Sequence, residues 1–287
     1  MDKTTYSLIL LFLFTLLNYN CIKAQSTKLI VRGDDMGFSH SSNEAIIDSY
    51  QKGIMTTVEV MPVTPWFPEV IQMCNANPDL DVGIHLSLTS EWTNVKWRPL
   101  TQVESLIDSN GYFYPMVWPN SKYGEDQALA NNGWTYSDIE KEIRAQIELG
   151  IKNIPHISHV TAHMGWYSLD EKVASLLKRL AVEYKIDIDP IDYNVTKIRL
   201  TGPRKTPGQK VDSFLKMLLG LEKGKTYLFV EHPAYNTNEM KAIGHIGYKN
   251  VAEDRNGVTT MWTHPKVIAE VKRLNIELIN YKDIKEH

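Results

Sequence analysis

Cysteine is almost absent from this chain: 287 residues hold two, Cys21 and Cys74. With the leader-like N-terminus removed, one thiol is left. No intramolecular disulfide is then possible, and stability must come from an ordinary apolar core. An excess of charge of either sign is missing too. Lys and Arg number 31 against 34 Asp and Glu, a formal net charge of −3, and the cations are scattered. That leaves no basic stripe for nucleic acid. The apolar run at residues 8–17 is shorter than the roughly 20 residues a spanning helix needs, and nothing later is longer. No Gly-x-Gly-x-x-Gly turn follows the first strand-like run, which disfavours a dinucleotide-binding sheet. No Ser/Gly linker, repeat, low-complexity tract or charge block divides the chain.

The N-terminus carries Lys3, the apolar run, and a polar stretch with Ala24 at a cleavage-compatible position, the layout of a secretory signal peptide. We read residues 1–24 as that signal and residues 25–287 as a single catalytic domain, exported to the periplasm or the medium and without a membrane span. Cys21 lies near a possible lipidation position, but Asn20 is a poor match for the small residue expected before it, which disfavours a lipoprotein. No pattern assigns an oligomeric state.

Through the mature chain, β-rich apolar runs alternate with helical patterns, the signature of βα units around a parallel sheet. The runs predict strands at 28–32, 57–63, 82–88, 156–162, 186–189, 226–231 and 276–281. Helices are expected at 41–52, 67–75, 137–149, 169–184, 208–219 and 265–274, the third opened by the capping box Ser137-x-x-Glu140. Seven parallel strands in one domain of this size favour a closed or nearly closed (β/α) barrel. Between residues 90 and 133 the alternation stops, and the segment holds Trp92, Trp97, Tyr112, Tyr114, Trp118 and Tyr123. Such an insertion is either an aromatic mini-core or a sugar-stacking surface, with Trp92, Trp97 and Trp118 as the stacking candidates.

The strand-like run Leu29-Ile30-Val31-Arg32-Gly33 ends in Asp34-Asp35, two adjacent carboxylates flanked by glycines that let the chain bend. One can hold a cation while the other takes a proton; a solvated turn or a helix N-cap is the bland alternative. His85 and His163 fall at or near the ends of two further strands. With Asp35 they make a set of two imidazoles and one carboxylate, which suits zinc, with magnesium, manganese or nickel as other options. A single histidine in an apolar strand is commonly a satisfied core residue, but three candidate ligands at matching strand ends are not easily dismissed. His232 follows another strand, and an imidazole there can act as a general acid. His159, His245 and His264 are left as supporting or surface residues.

At these residues the chain resembles the YdjC-type carbohydrate deacetylases, relatives of the polysaccharide deacetylase superfamily, as a divergent member. The resemblance runs over nearly the whole mature chain, through Asp34-Asp35-x-Gly37, Gly83-Ile84-His85-Leu86-x-Leu88, the histidine strand, the strand end at His232 and the Arg255 region. It implies a (β/α) barrel-like fold, Asp34 as general base, and Asp35, His85 and His163 as metal ligands, with His232 at the family's late histidine. Two departures stand out. The family's Asp-Ser-His-Gln-His is here Thr161-Ala162-His163-Met164-Gly165, and the acidic residue that follows the late arginine is missing from Arg255-Asn256-Gly257-Val258.

The resemblance implies removal of acetyl groups from an oligosaccharide. The departures admit a second chemistry, a dehydratase that eliminates water from uronic-acid-terminated oligosaccharides, with Arg32, Arg98 and Tyr167 as available anchors and Arg255 beside them. A non-catalytic sugar-binding protein is the third possibility.

Overall fold

The computed structural model describes residues 26–286; the expected signal segment and Cys21 lie outside them. Strand β1 (Thr27–Met36) is buried along almost its whole length, as expected of a strand covered on both faces in a parallel α/β sheet. It pairs on one edge with β6 (Thr226–Glu231). Its other edge is shared by β7 (Ile276–Leu278) at its start and β2 (Thr57–Val60) at its end. Beyond β2 come β3 (Asp81–Leu86) and β4 (Ile157–Ala162), and β5 (Thr196–Ile198) lies outside β6. All pairs are parallel. Among the described residues no hydrogen bonds join β4 to β5, so the seven-stranded barrel stays open at that seam.

Alternation along the strands sorts their side chains. Leu29, Val31, Val58, Val60, Tyr227 and Phe229 pack outward with Phe214, Met261, Trp262 and Val267 of the surrounding helices. Cys74 is buried in this layer too. Ile30, Leu228, Ile279 and Tyr281 point inward and close the barrel floor. Higher in the barrel the inward residues are polar: Arg32, Glu59, His85, His159 and Thr161. Among the described residues, no helix is long and apolar enough to cross a membrane.

Helices α1 (His40–Gln51), α2 (Phe67–Asn75), α3 (Tyr136–Asn153), α4 (Glu171–Glu183), α5 (Pro207–Leu219) and α8 (Pro265–Arg273) fall where the periodicity predicts. Three details differ. Helix α3 is capped by Thr135, which accepts from the Asp138 N–H, so Ser137 already lies in the first turn. The strand expected at 186–189 is absent: Asp189 caps a 3₁₀ turn at Pro190–Tyr193, and β5 forms seven residues later. Proline fixes φ and has no N–H to give a ladder. Between the short α6 (Asn238–Lys241) and α8, helix α7 (Val251–Thr263) has no counterpart in the sequence reading. It is buried on most sides, so it shows no amphipathic stripe.

Beyond Met36 the chain must turn sharply. Gly37 has φ +119°, and a Cβ there would collide with Thr64 Oγ1 and lie 3.3 Å from the Met61 carbonyl. Gly37→Ala is expected to destabilise the protein by about 1–3 kcal/mol, lowering the thermal midpoint by several degrees. Gly208→Ala, in the first turn of α5 with no heavy atom within 4 Å, should leave it unchanged or raised. Equal midpoints for the two variants in thermal denaturation would remove the steric argument.

Candidate metal centre

In a regular strand Asp34 and Asp35 would face opposite sides of the sheet. Against β2, the register runs from Gly33↔Val58 to Met36↔Val60, three steps on β1 against two, so one extra residue bulges out of the ladder. Asp35 takes up the irregularity with φ +70°, a left-handed conformation that costs a non-glycine residue roughly 1 kcal/mol or more. Both carboxylates thereby reach the same cavity: His85 Nε2 lies 3.6 Å from Asp35 Oδ1 and 3.9 Å from Asp34 Oδ2.

His163 arrives from the end of β4, where Met164 and Gly165 are both left-handed and turn Trp166 back into the core. Its Nδ1 is 3.2 Å from Asp35 Oδ1. One ligand atom each from Asp35, His85 and His163 lies within 4.8 Å of the others, and all three residues are buried. Asp35 Oδ2 accepts from Arg255 Nη2 at 2.8 Å, whereas Oδ1 is buried with no hydrogen-bond partner. His163 Nε2 lies 3.0 Å from Glu91 Oε2, so when the ring is neutral its hydrogen belongs on Nε2 and Nδ1 is bare toward Asp35. An ionised carboxylate with an orphaned oxygen beside two imidazoles fits a divalent cation.

The charges around this cluster shift the protonation of each of its members. Burial opposes ionisation of Asp35, but His232, Arg255 and His163 outweigh it and hold its pKa well below the usual carboxylate range. Asp34 is lowered in the same way against its burial, chiefly by Arg32 and then by His85 and His232. Arg32 grips it with a fork, Nε to Oδ1 at 2.8 Å and Nη2 to Oδ2 at 3.0 Å. Burial depresses His85. It opposes charge on His163 also, yet Glu91 and Asp35 push that ring up to about 10, so a proton and a cation compete for it. His232 is partly exposed on the other side of the cavity, with Nε2 3.9 Å from Asp35 Oδ2.

Of the seven residues expected to touch substrate, five are engaged in contacts within the protein. Arg32 is buried and fully engaged, by Asp34 and by the Tyr281 hydroxyl at 2.7 Å. Arg255, from α7, is buried against Asp35, and its guanidinium lies 5.1 Å from the centre of the Trp92 ring. Trp92 and Trp97, at 2% and 3% exposure, are not stacking platforms but walls. Trp92 backs Arg255, while Trp97 donates to the Thr89 carbonyl and sets its ring edge-on to His163, 6.2 Å between centres. Arg98 is exposed but occupied within the insertion, over the Tyr112 ring and donating to the carbonyls of Asn110 and Gly111. Trp118 and Tyr167 remain open, at 48% and 46% exposure, and Trp118 donates to Ser168 beside Tyr167. His245 packs among Trp92, Tyr123 and Tyr248, and His264 caps α8.

Glu59, Glu91 and Tyr281 escaped the sequence reading. Glu59 left one signal, a lone carboxylate in the apolar run Thr57-Val58-Glu59-Val60-Met61. Glu91 and Tyr281 left none.

A parallel barrel open at one seam, with an Asp-Asp bulge and two histidines at its mouth, places the chain among open (β/α) barrels that carry a candidate cation site at the strand ends. Within that class, the family described as YdjC-like protein matches residues 28–273, and the chain belongs to it. It is similar to a carbohydrate deacetylase of Geobacillus stearothermophilus, 26% identical and spanning 88% of this chain and 96% of the relative. A carbohydrate deacetylase of Clostridium beijerinckii is 29% identical, over 90% of this chain and all of the relative. Among solved structures, that of a candidate cellobiose-phosphate cleavage protein from Enterococcus faecalis shares the fold. Its TM-score is 0.67 at 20% identity, with 90% of this chain and 99% of that one covered.

Two predictions follow from this geometry. His85→Ala and His163→Ala should each lose bound metal in elemental analysis, while Asp34→Asn should keep it; metal retained in both histidine variants would refute the ligand set. Trp92→Ala and Trp97→Ala should each cost about 3–5 kcal/mol of stability in denaturant unfolding, and Trp118→Ala almost nothing. A stable Trp92→Ala protein would contradict its role behind Arg255.

Proposed function

We propose that the protein is an exported, metal-dependent carbohydrate deacetylase. The observation that carries this reading is the buried Asp35–His85–His163 group with Asp34 on one side and the partly exposed His232 on the other. The carbohydrate deacetylases among its relatives support the substrate class, and the layout of residues 1–24 supports export. Two imidazoles and a carboxylate favour zinc. A divalent cation bound there would polarise an acetyl carbonyl and acidify a water molecule.

The remaining work falls to the chain's own groups. Asp34, kept ionised by Arg32, takes the proton from the attacking water. The acetyl carbon–heteroatom bond breaks, and His232, open to the cavity mouth, gives a proton to the departing amine or hydroxyl. The products are acetate and the freed sugar. Arg255 keeps Asp35 charged throughout, and Trp97 walls His163 from bulk water. Trp118 and Tyr167 offer exposed rings to a sugar chain on the β4 side.

One observation favours the elimination chemistry. Lys197 on β5 pairs in register with Leu228, so it lies on the inward side of the sheet, exposed to solvent at the open seam. Burial and Arg32 lower its pKa, while Asp34 acts in the opposite sense. A cation so placed suits a uronate carboxylate.

Incubation with acetylated and with uronate-terminated oligosaccharides separates the two. A deacetylase lowers substrate mass by about 42 Da, a dehydratase by about 18 Da with a new conjugated double bond. We expect the first, abolished in Asp34→Asn; loss of water alone would overturn the deacetylase reading, and no mass change with retained glycan binding would leave a sugar-binding protein.

A further inference from the structure

Beneath the metal-binding side chains runs a hydrogen-bonded line that the proposed chemistry does not use. His85 Nδ1 meets Thr161 Oγ1 at 2.8 Å, and Thr161 Oγ1 donates to Glu59 Oε2 at 2.5 Å. The other oxygen, Glu59 Oε1, meets His159 Nε2 at 2.7 Å. On the far side of that ring, Ser158 Oγ lies 2.7 Å from Nδ1 and donates to Asp81 Oδ1 at 2.6 Å. Glu59 is fully buried on β2, a strand that supplies no candidate ligand.

Hydrogen counting gives this line a direction. The threonine hydroxyl has one hydrogen, and an ionised Glu59 can only accept it. What Thr161 presents to His85 is therefore a lone pair, so His85 must donate from Nδ1. Its Nε2 is then bare, and Nε2 is the atom that faces Asp35 Oδ1. Without the carboxylate, the hydroxyl could rotate and donate to Nδ1, which would place the ring's hydrogen on Nε2, where a cation has to bind. The tyrosine at 281 holds the assembly from below, its ring stacked on His159 with centres 3.7 Å apart. Gly83 makes room for it: a Cβ there would collide with His159 Nε2 and come within 2.6 Å of Glu59 Oε2.

We propose that Glu59 is a positioning residue which, through Thr161, fixes His85 in the tautomer that offers Nε2 to the cation. A simple ion-pair role toward Arg32 accounts for less, since Arg32 Nε is 3.7 Å from Glu59 but makes its close contacts with Asp34 and Tyr281. In this chain the acidic group reaches His85 from the neighbouring strand by way of a hydroxyl. The inference rests on the reading of Asp35, His85 and His163 as a cation site.

The test reads the ring directly. In metal-stripped protein labelled with ¹⁵N-histidine, long-range ¹H–¹⁵N spectra should show His85 protonated at Nδ1. Thr161→Val, close to isosteric, and Glu59→Ala should each shift it toward the Nε2–H form. By calorimetry each should weaken zinc binding by about 10- to 100-fold. Thr161→Asp placed in the Glu59→Ala background should restore both readouts, which a merely structural role would not do. If Glu59→Ala fails to fold, Thr161→Val decides. An unchanged tautomer in the folded variants, with zinc affinity within about twofold of the parent, overturns the proposal. If the parent protein binds no zinc, the metal reading fails by itself while the tautomer spectra still judge Glu59.

Discussion

Four carboxylates, Asp34, Asp35, Glu59 and Glu91, are buried in the mouth of one barrel, and most of what surrounds them exists to make that tolerable. An unpaired buried charge costs several kcal/mol, so each acid needs its own donors. Asp34 has the Arg32 fork, Asp35 has Arg255, Glu91 has His163, and Glu59 has Thr161 and His159. The two arginines come from opposite ends of the chain, one from β1 itself and one from α7. Arg32 commits all three of its nitrogens to Asp34 and Tyr281, whereas Arg255 gives only Nη2 to Asp35 and keeps Nε and Nη1 buried without a partner.

Much of this was legible in the sequence. The alternation of apolar runs and helical patterns gave the barrel, and the strand ends gave Asp35, His85 and His163. The reason is that candidate ligands at strand ends are tied to the same periodicity that defines the strands. What could not be read was anything depending on contacts between distant segments. Helix α7 is hidden because its neighbours cover it on most sides. The bulge at Asp35 needs a register between β1 and β2 that no local pattern states. The glycines beside Asp34 and Asp35 suggested a bend after the strand, whereas the strand continues to Met36 with the irregularity inside it.

The aromatic insertion shows the same limit from another side. Its tryptophans are equally apolar in sequence, yet Trp92 and Trp97 lie against Arg255 and His163 while Trp118 stays at the surface. A ring that stacks on a sugar and a ring that braces a guanidinium or an imidazole have the same composition, and only burial tells them apart. The insertion is therefore chiefly a mini-core that completes the back wall of the cavity, with Phe113, Leu106, Val117 and Leu129 filling it.

The missing side chain at Gly83 couples three positions on three strands. Because a methyl group there would occupy the space of the Glu59–His159 contact, Gly83 can be replaced without penalty only after that contact has been given up, and the contact can form only while residue 83 is glycine. Residues 59, 83 and 159 thus constitute a single heritable unit in which the order of substitutions matters. Loss of the β2 carboxylate alone would not free position 83, because the atom nearest a Cβ there is His159 Nε2, so the ring must move or shrink as well.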